Sequence, residues 1–77
     1  MAITLYSRSH CIECNVLKRF LHDQGLKYEE RNCSLYPEYL KDVEAMGYLG
    51  VPVTVIDGQS VQGLDPDEIL RLLGKEK

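Results

Sequence analysis

Apolar side chains recur along this chain in two different periods. Near the N-terminus they alternate, with Ile3 and Leu5 set between Thr4 and Tyr6, and Ala2–Tyr6 is predicted as a short strand. Ser7–His10 is polar and turn-like. From Cys14 the period lengthens: Leu17, Phe20 and Leu21 share one helical face, and Gly25 stands where a C-terminal cap falls. Leu26–Cys33 reads as a second strand, although it carries Glu29, Glu30 and Arg31. Ser34 is placed to cap a second helix with a buried stripe of Tyr36, Tyr39, Leu40, Val43 and Met46, ended by Gly47. Val53–Ile56 is a β-branched run, Asp57-Gly58 a two-residue hairpin turn, and Gln59–Val61 the returning strand. After a turn at Gly63, Asp65 serves as N-cap, Pro66 as first helical residue and Glu68 as the third position of a last helix. Ile69, Leu70 and Leu73 form its apolar face and Gly74 closes it; the polar tail 75–77 is expected to fray.

The order is β-α-β-α-β-β-α, an α/β arrangement. Its first βαβ unit should be a right-handed parallel crossover, and the Asp57-Gly58 hairpin adds an antiparallel pair. With 77 residues there is room for one domain, 1–77, and for about one layer of helices on one sheet. A net charge of −3 and scattered Lys and Arg argue against a nucleic-acid or anionic-membrane surface. Met1–Tyr6 is too short for the apolar region of a signal peptide, and no apolar run approaches the ~20 residues that cross a bilayer. A cytoplasmic setting is therefore expected. Thiols there are kept reduced, so two closely spaced cysteines point to catalysis or metal binding rather than to a structural bridge.

Such a pair is present: Cys11-Ile12-Glu13-Cys14, where the first strand hands over to the first helix. The thiolate is the nucleophile in thiol–disulfide exchange, and a free thiol is mostly protonated at neutral pH. Cys11 falls at the helix N-terminus, where unpaired N–H groups and the helix dipole favour a negative sulfur. Cys11 is thus the expected attacking residue, and the deeper Cys14 the one that resolves the mixed disulfide. His10, if protonated, favours the thiolate; Glu13 disfavours it and pushes towards a more reducing couple. Plain roles also fit both: an exposed turn residue for His10 and an exposed first-turn residue for Glu13. A zinc site would need four ligands, and Cys33, His10 and His22 are not paired at ligand spacing. Pro52, in Gly50-Val51-Pro52-Val53, reads from the residues alone as a trans residue at a strand start. Cys33 reads as a partly buried small residue, with glutathionylation or an intermolecular disulfide as the sharper alternative. Tyr6 is expected near the Cys11 loop.

Three segments together resemble the signatures of the glutaredoxins: Tyr6-Ser7-Arg8-Ser9-His10-Cys11-Ile12-Glu13-Cys14, Gly50-Val51-Pro52-Val53 and Gln62-Gly63-Leu64-Asp65. The resemblance implies a thioredoxin-like fold. That is a four-stranded mixed sheet of order 2-1-3-4, with helices 1 and 3 on one face and helix 2 on the other. It implies a cis Pro52 facing the cysteines, and a Val51 backbone that pairs with a bound peptide or glutathione as an added strand. It also implies a dithiol oxidoreductase acting on disulfide-containing proteins, usually monomeric. No cofactor is held tightly, and glutathione is a possible co-substrate.

The departures bear on the reductant. Where glutaredoxins carry Cys-Pro-Tyr-Cys, this chain has Ile12 and Glu13. Arg8 stands where they have a Lys that binds a glutathione carboxylate. Their Gly-Gly-x-Asp-Asp segment reads Gln62-Gly63-Leu64-Asp65-Pro66, so the N–H groups of Leu64 and Asp65 can still hold a carboxylate but the amine-binding Asp is missing. Asp65 has an adequate explanation as a helix cap. Such departures are shared with the NrdH-redoxins, which take electrons from thioredoxin reductase and usually serve a ribonucleotide reductase. Their Trp-Ser-Gly-Phe-Arg segment, however, is Val61-Gln62-Gly63-Leu64-Asp65 here. The alternative within the family is a [2Fe–2S]-cluster glutaredoxin acting as carrier or sensor.

Overall fold

A computed structural model describes residues 2–74; the tail 75–77, expected to fray, lies outside the described residues. The chain runs β1 (Ile3–Ser7), α1 (Ile12–Asp23), β2 (Glu29–Asn32), α2 (Glu38–Ala45), β3 (Val53–Ile56), β4 (Gln59–Gln62) and α3 (Pro66–Leu72). The strands form one mixed sheet of order β2-β1-β3-β4. β1 pairs with β2 in parallel, and β3 is antiparallel to both β1 and β4. The expected α/β thioredoxin-like topology is therefore present.

Size alone suggested one layer of helices on the sheet, and the structure corrects this: both faces are covered. Alternation along β1 explains why. Ile3 and Leu5 point one way, into a cluster with Leu17 and Leu21 of α1, Ile69 of α3, and Ile56 and Val61. Tyr6 points the other way, against Val43 of α2 and Val53. The two central strands are apolar on both sides, so each side needs a cover. Tyr6 consequently lies away from the Cys11 loop, against expectation. Its ring meets Tyr39 edge-on at 6.4 Å, and its hydroxyl accepts from Arg31 Nη1 at 2.9 Å. The Arg31 guanidinium, which also pairs with Glu29, sits 5.6 Å from the centroids of both Tyr6 and Tyr39.

Local signals placed most boundaries. Asp57 and Gly58 both adopt positive φ (49° and 83°), the two-residue turn that matches strand twist. Asp65 caps α3 by accepting from the Glu68 N–H at 3.3 Å, with Pro66 next. The second strand is shorter than expected, at four residues. The second helix starts later than Ser34 predicts. Pro37 disfavours helical geometry at Tyr36, so α2 opens after Pro37, without a side-chain cap. The Asn32 side chain instead accepts from the N–H groups of Ser34 and Leu35, closing a turn. Tyr36 and Leu40, assigned to a buried stripe, are exposed; Val43 is the one fully buried residue of α2.

Candidate redox site

The site sits where β1 ends and α1 begins. His10 takes a left-handed backbone conformation (φ 57°), and the chain then enters α1 with Cys11 as its N-cap. Histidine tolerates that region better than most side chains. Cys11 Sγ accepts from the Cys14 N–H at 3.2 Å, and the Cys11 carbonyl accepts from Asn15 N–H at 3.0 Å. A sulfur in the N-cap position thus faces the free amide donors of a helix, the setting that favours negative charge. The two sulfurs are joined as a disulfide, with Cα atoms 5.2 Å apart. Cys14 is fully buried and Cys11 nearly so. His10 and Glu13 are exposed beside them.

The sheet register gathers the remaining segments at the same end. Tyr6 pairs with Val53, so Pro52 lies at the level of Ser7, four residues before Cys11. The Val51-Pro52 peptide is cis, as the resemblance implied and against the reading from the residues alone. The Pro52 carbonyl accepts from Gly63 N–H at 2.8 Å, which ties the third segment to the second. Leu64 follows, exposed, and Asp65 turns its carboxylate to its own helix.

A cavity of about 460 Å³ opens beside this end, lined by Arg8, Cys33, Ser34, Leu40, Leu49, Gly50 and Val51. It joins Arg8 and Val51, two of the residues expected to bind substrate. Four lining residues escaped the sequence reading as binding groups: Ser34, Leu40, Leu49 and Gly50. Leu49 is fully exposed (100%), and a leucine beside the Gly50-Val51-Pro52 turn was the available signal. Ser34, expected to cap a helix, accepts instead from Ser9 N–H at 3.1 Å, tying this wall to the loop before Cys11. Cys33 is half-buried. Burial, with Asp42 nearby, pushes its thiol above the ordinary value and so lowers its thiolate fraction. Among the described residues, no group of three or more His, Cys, Asp or Glu side chains is placed to hold a metal, and no helix is long and apolar enough to cross a membrane.

Comparison with known proteins bears on this geometry. The family model described as Glutaredoxin matches residues 3–61. The glutaredoxin-like protein NrdH of Salmonella typhimurium is 35% identical over 72 residues, spanning 94% of this chain and 89% of that protein. NrdH of Lactococcus lactis is 30% identical over 70 residues, spanning 91% and 97%. Among solved structures, the NrdH-redoxin of Escherichia coli superposes with a TM-score of 0.86 at 35% identity, covering 94% of this chain and 95% of that one. That protein is described as having a thioredoxin-like activity profile.

Proposed function

Because the chain belongs to the glutaredoxin family, beside its NrdH-type members, and is a thiol–disulfide oxidoreductase, we propose that it reduces protein disulfides through Cys11 and Cys14 with electrons from thioredoxin reductase. The observation that carries the exchange chemistry is Cys11 as the N-cap of α1, bridged to Cys14 one turn further in.

In the reduced protein, the Cys11 thiolate attacks one sulfur of a substrate disulfide. A Cys11–substrate bond forms, and the other substrate sulfur leaves as a thiolate that takes up a proton. Cys14 then attacks Cys11 Sγ, the mixed disulfide breaks, and the second substrate thiol is released. Two electrons have passed to the substrate, and the Cys11–Cys14 disulfide remains to be reduced. The order of attack follows from position: Cys14 is wholly enclosed, whereas Cys11 sits at the end of its helix. The substrate segment runs through the cavity beside Val51, with Arg8 as the positive group in its lining and Leu40 and Leu49 as apolar contacts.

Two features favour thioredoxin reductase over glutathione. The position of the second Asp of the glutaredoxin segment is Pro66 here, and the remaining carboxylate, Asp65, is engaged in capping. The similar E. coli protein has a thioredoxin-like activity profile. A monomer acting in the cytoplasm accords with this reading. The test is NADPH oxidation coupled to a protein disulfide, once with thioredoxin reductase and once with glutathione plus glutathione reductase. Turnover with the first alone is expected; turnover with glutathione alone overturns the choice of reductant and leaves the exchange chemistry standing.

A further inference from the structure

Three polar side chains with no part in the exchange steps meet beside α1. Glu30 Oε2 accepts from Ser7 Oγ at 2.7 Å and from Lys18 Nζ at 3.0 Å. Ser7 is fully buried, at the end of β1 that leads into the cysteine loop, on the face shared with Leu5 and α1. Lys18 follows Cys14 by four residues, so the two stand on one face of α1, about 6 Å apart along its axis. A long side chain on a helix leans back towards the N-terminus, over the residue four before it. For Lys18 that residue is Cys14. The bond to Glu30, itself anchored by Ser7, keeps the ammonium at this end of the helix instead of free in solvent. Burial works to raise the Glu30 carboxyl, but the bonds from Ser7 and Lys18 outweigh it and hold the group below its ordinary value. The Glu30 carboxyl is therefore ionised at neutral pH.

We propose that the Ser7–Glu30–Lys18 cluster is a positioning unit that sets the redox poise of the Cys11–Cys14 couple. The disulfide is neutral. Its reduction by an external dithiol takes two electrons and leaves one protonated thiol and, in part, one thiolate at the pair, while the dithiol becomes a cyclic disulfide. Only the reduced state carries negative charge on sulfur, so a fixed charge nearby acts on one state and not on the other. Lys18 favours the reduced state, and Glu30 offsets part of that effect. The cluster thus tempers the oxidising pull of a cation on the Cys14 face of α1. This inference rests on the pair being a reversible couple, as proposed above.

The experiment equilibrates the whole protein near pH 8 with graded ratios of reduced to oxidised dithiothreitol, and counts free thiols by maleimide labelling and mass spectrometry. Wild type is compared with Glu30→Gln, Lys18→Met and the double variant. Arg8, His10 and Glu13, the other ionisable groups around the pair, are the same in all four and cancel. Glu30→Gln should shift the equilibrium towards the dithiol by threefold or more, where a tenfold shift corresponds to about 30 mV. Lys18→Met should shift it towards the disulfide, and the double variant should return to within twofold of wild type. A merely structural cluster would lower the melting temperature of both single variants and leave the couple unmoved. Single variants within twofold of wild type, or both displaced in the same direction, overturn the proposal. A wild type that fails to equilibrate with dithiothreitol overturns the exchange reading itself, a result distinct from unchanged variants of a working couple.

Discussion

Replacing Asp65 with Ala separates two roles that one residue can hold. Asp65 sits at the start of α3, where a glutaredoxin-type segment would bind a ligand carboxylate through its backbone. In this chain its side chain accepts from the Glu68 N–H at 3.3 Å. Loss of an Asp N-cap costs about 0.5–2 kcal/mol, and a long, exposed bond belongs in the lower half, about 1 kcal/mol. The loss is felt globally because α3 is only seven residues long and carries the fully buried Ile69 into the main cluster. For a domain of this size, about 1 kcal/mol lowers the melting temperature by about 4–8 °C. Thermal unfolding followed by far-ultraviolet circular dichroism reads that shift, and Asp65→Asn, which keeps an acceptor, should recover most of it. Turnover with thioredoxin reductase at 25 °C, where both proteins are folded, should stay within twofold of wild type. The reasoning is refuted if KM for the disulfide substrate rises tenfold while the melting temperature holds, because the carboxylate would then be a ligand rather than a cap.

Cys14→Ser should accumulate a mixed disulfide between Cys11 and the substrate, visible by mass spectrometry as one added substrate mass, whereas Cys11→Ser should form none. An adduct on Cys14 instead would reverse the two roles. Leu17→Ala removes a fully buried side chain from the centre of the α1 face. A loss of about 2–5 kcal/mol is expected, set against a total of roughly 4–12 kcal/mol for a chain this short, and urea unfolding should show it. Glu30 sets a pH dependence: its carboxyl is held below the ordinary value in the folded state by Ser7 and Lys18, against burial. The stability it contributes is therefore complete above the unfolded pKa of about 4.3 and is lost as pH falls through the folded pKa. Melting temperatures measured from pH 6 down to pH 3 should fall less steeply in Glu30→Gln than in wild type.

Several parts of the site were legible because their cause is local. A cysteine at the strand-to-helix junction becomes an N-cap whatever packs around it, since the first amides of any helix lack partners. The sequence reading of Tyr6 failed for the opposite reason. Alternation along β1 says that Tyr6 and Leu5 face apart, but which face meets which helix depends on where α2 returns, and that is a contact across 36 residues to Asp42. Ser34 has a capping side chain, but Pro37 disfavours helical backbone at Tyr36, so α2 opens three residues later, after Pro37. Glu30 weakens the pattern of its strand, as a charge in an apolar run does. Its partners, Ser7 and Lys18, lie 23 and 12 residues away.

The chain's own letters determined the order of elements, the hairpin at Asp57-Gly58, the cap at Asp65 and the cysteine pair at a helix start. Each follows from φ preferences or from amides within four residues, which no distant contact needs to supply. Tertiary structure alone decided the rest: the cavity that joins Arg8 to Leu49 and Val51, and the meeting of Ser7, Glu30 and Lys18 beside α1. Those depend on which faces the sheet leaves to be covered once β1 and β3 are both apolar on two sides, and that is a property of the assembled layers.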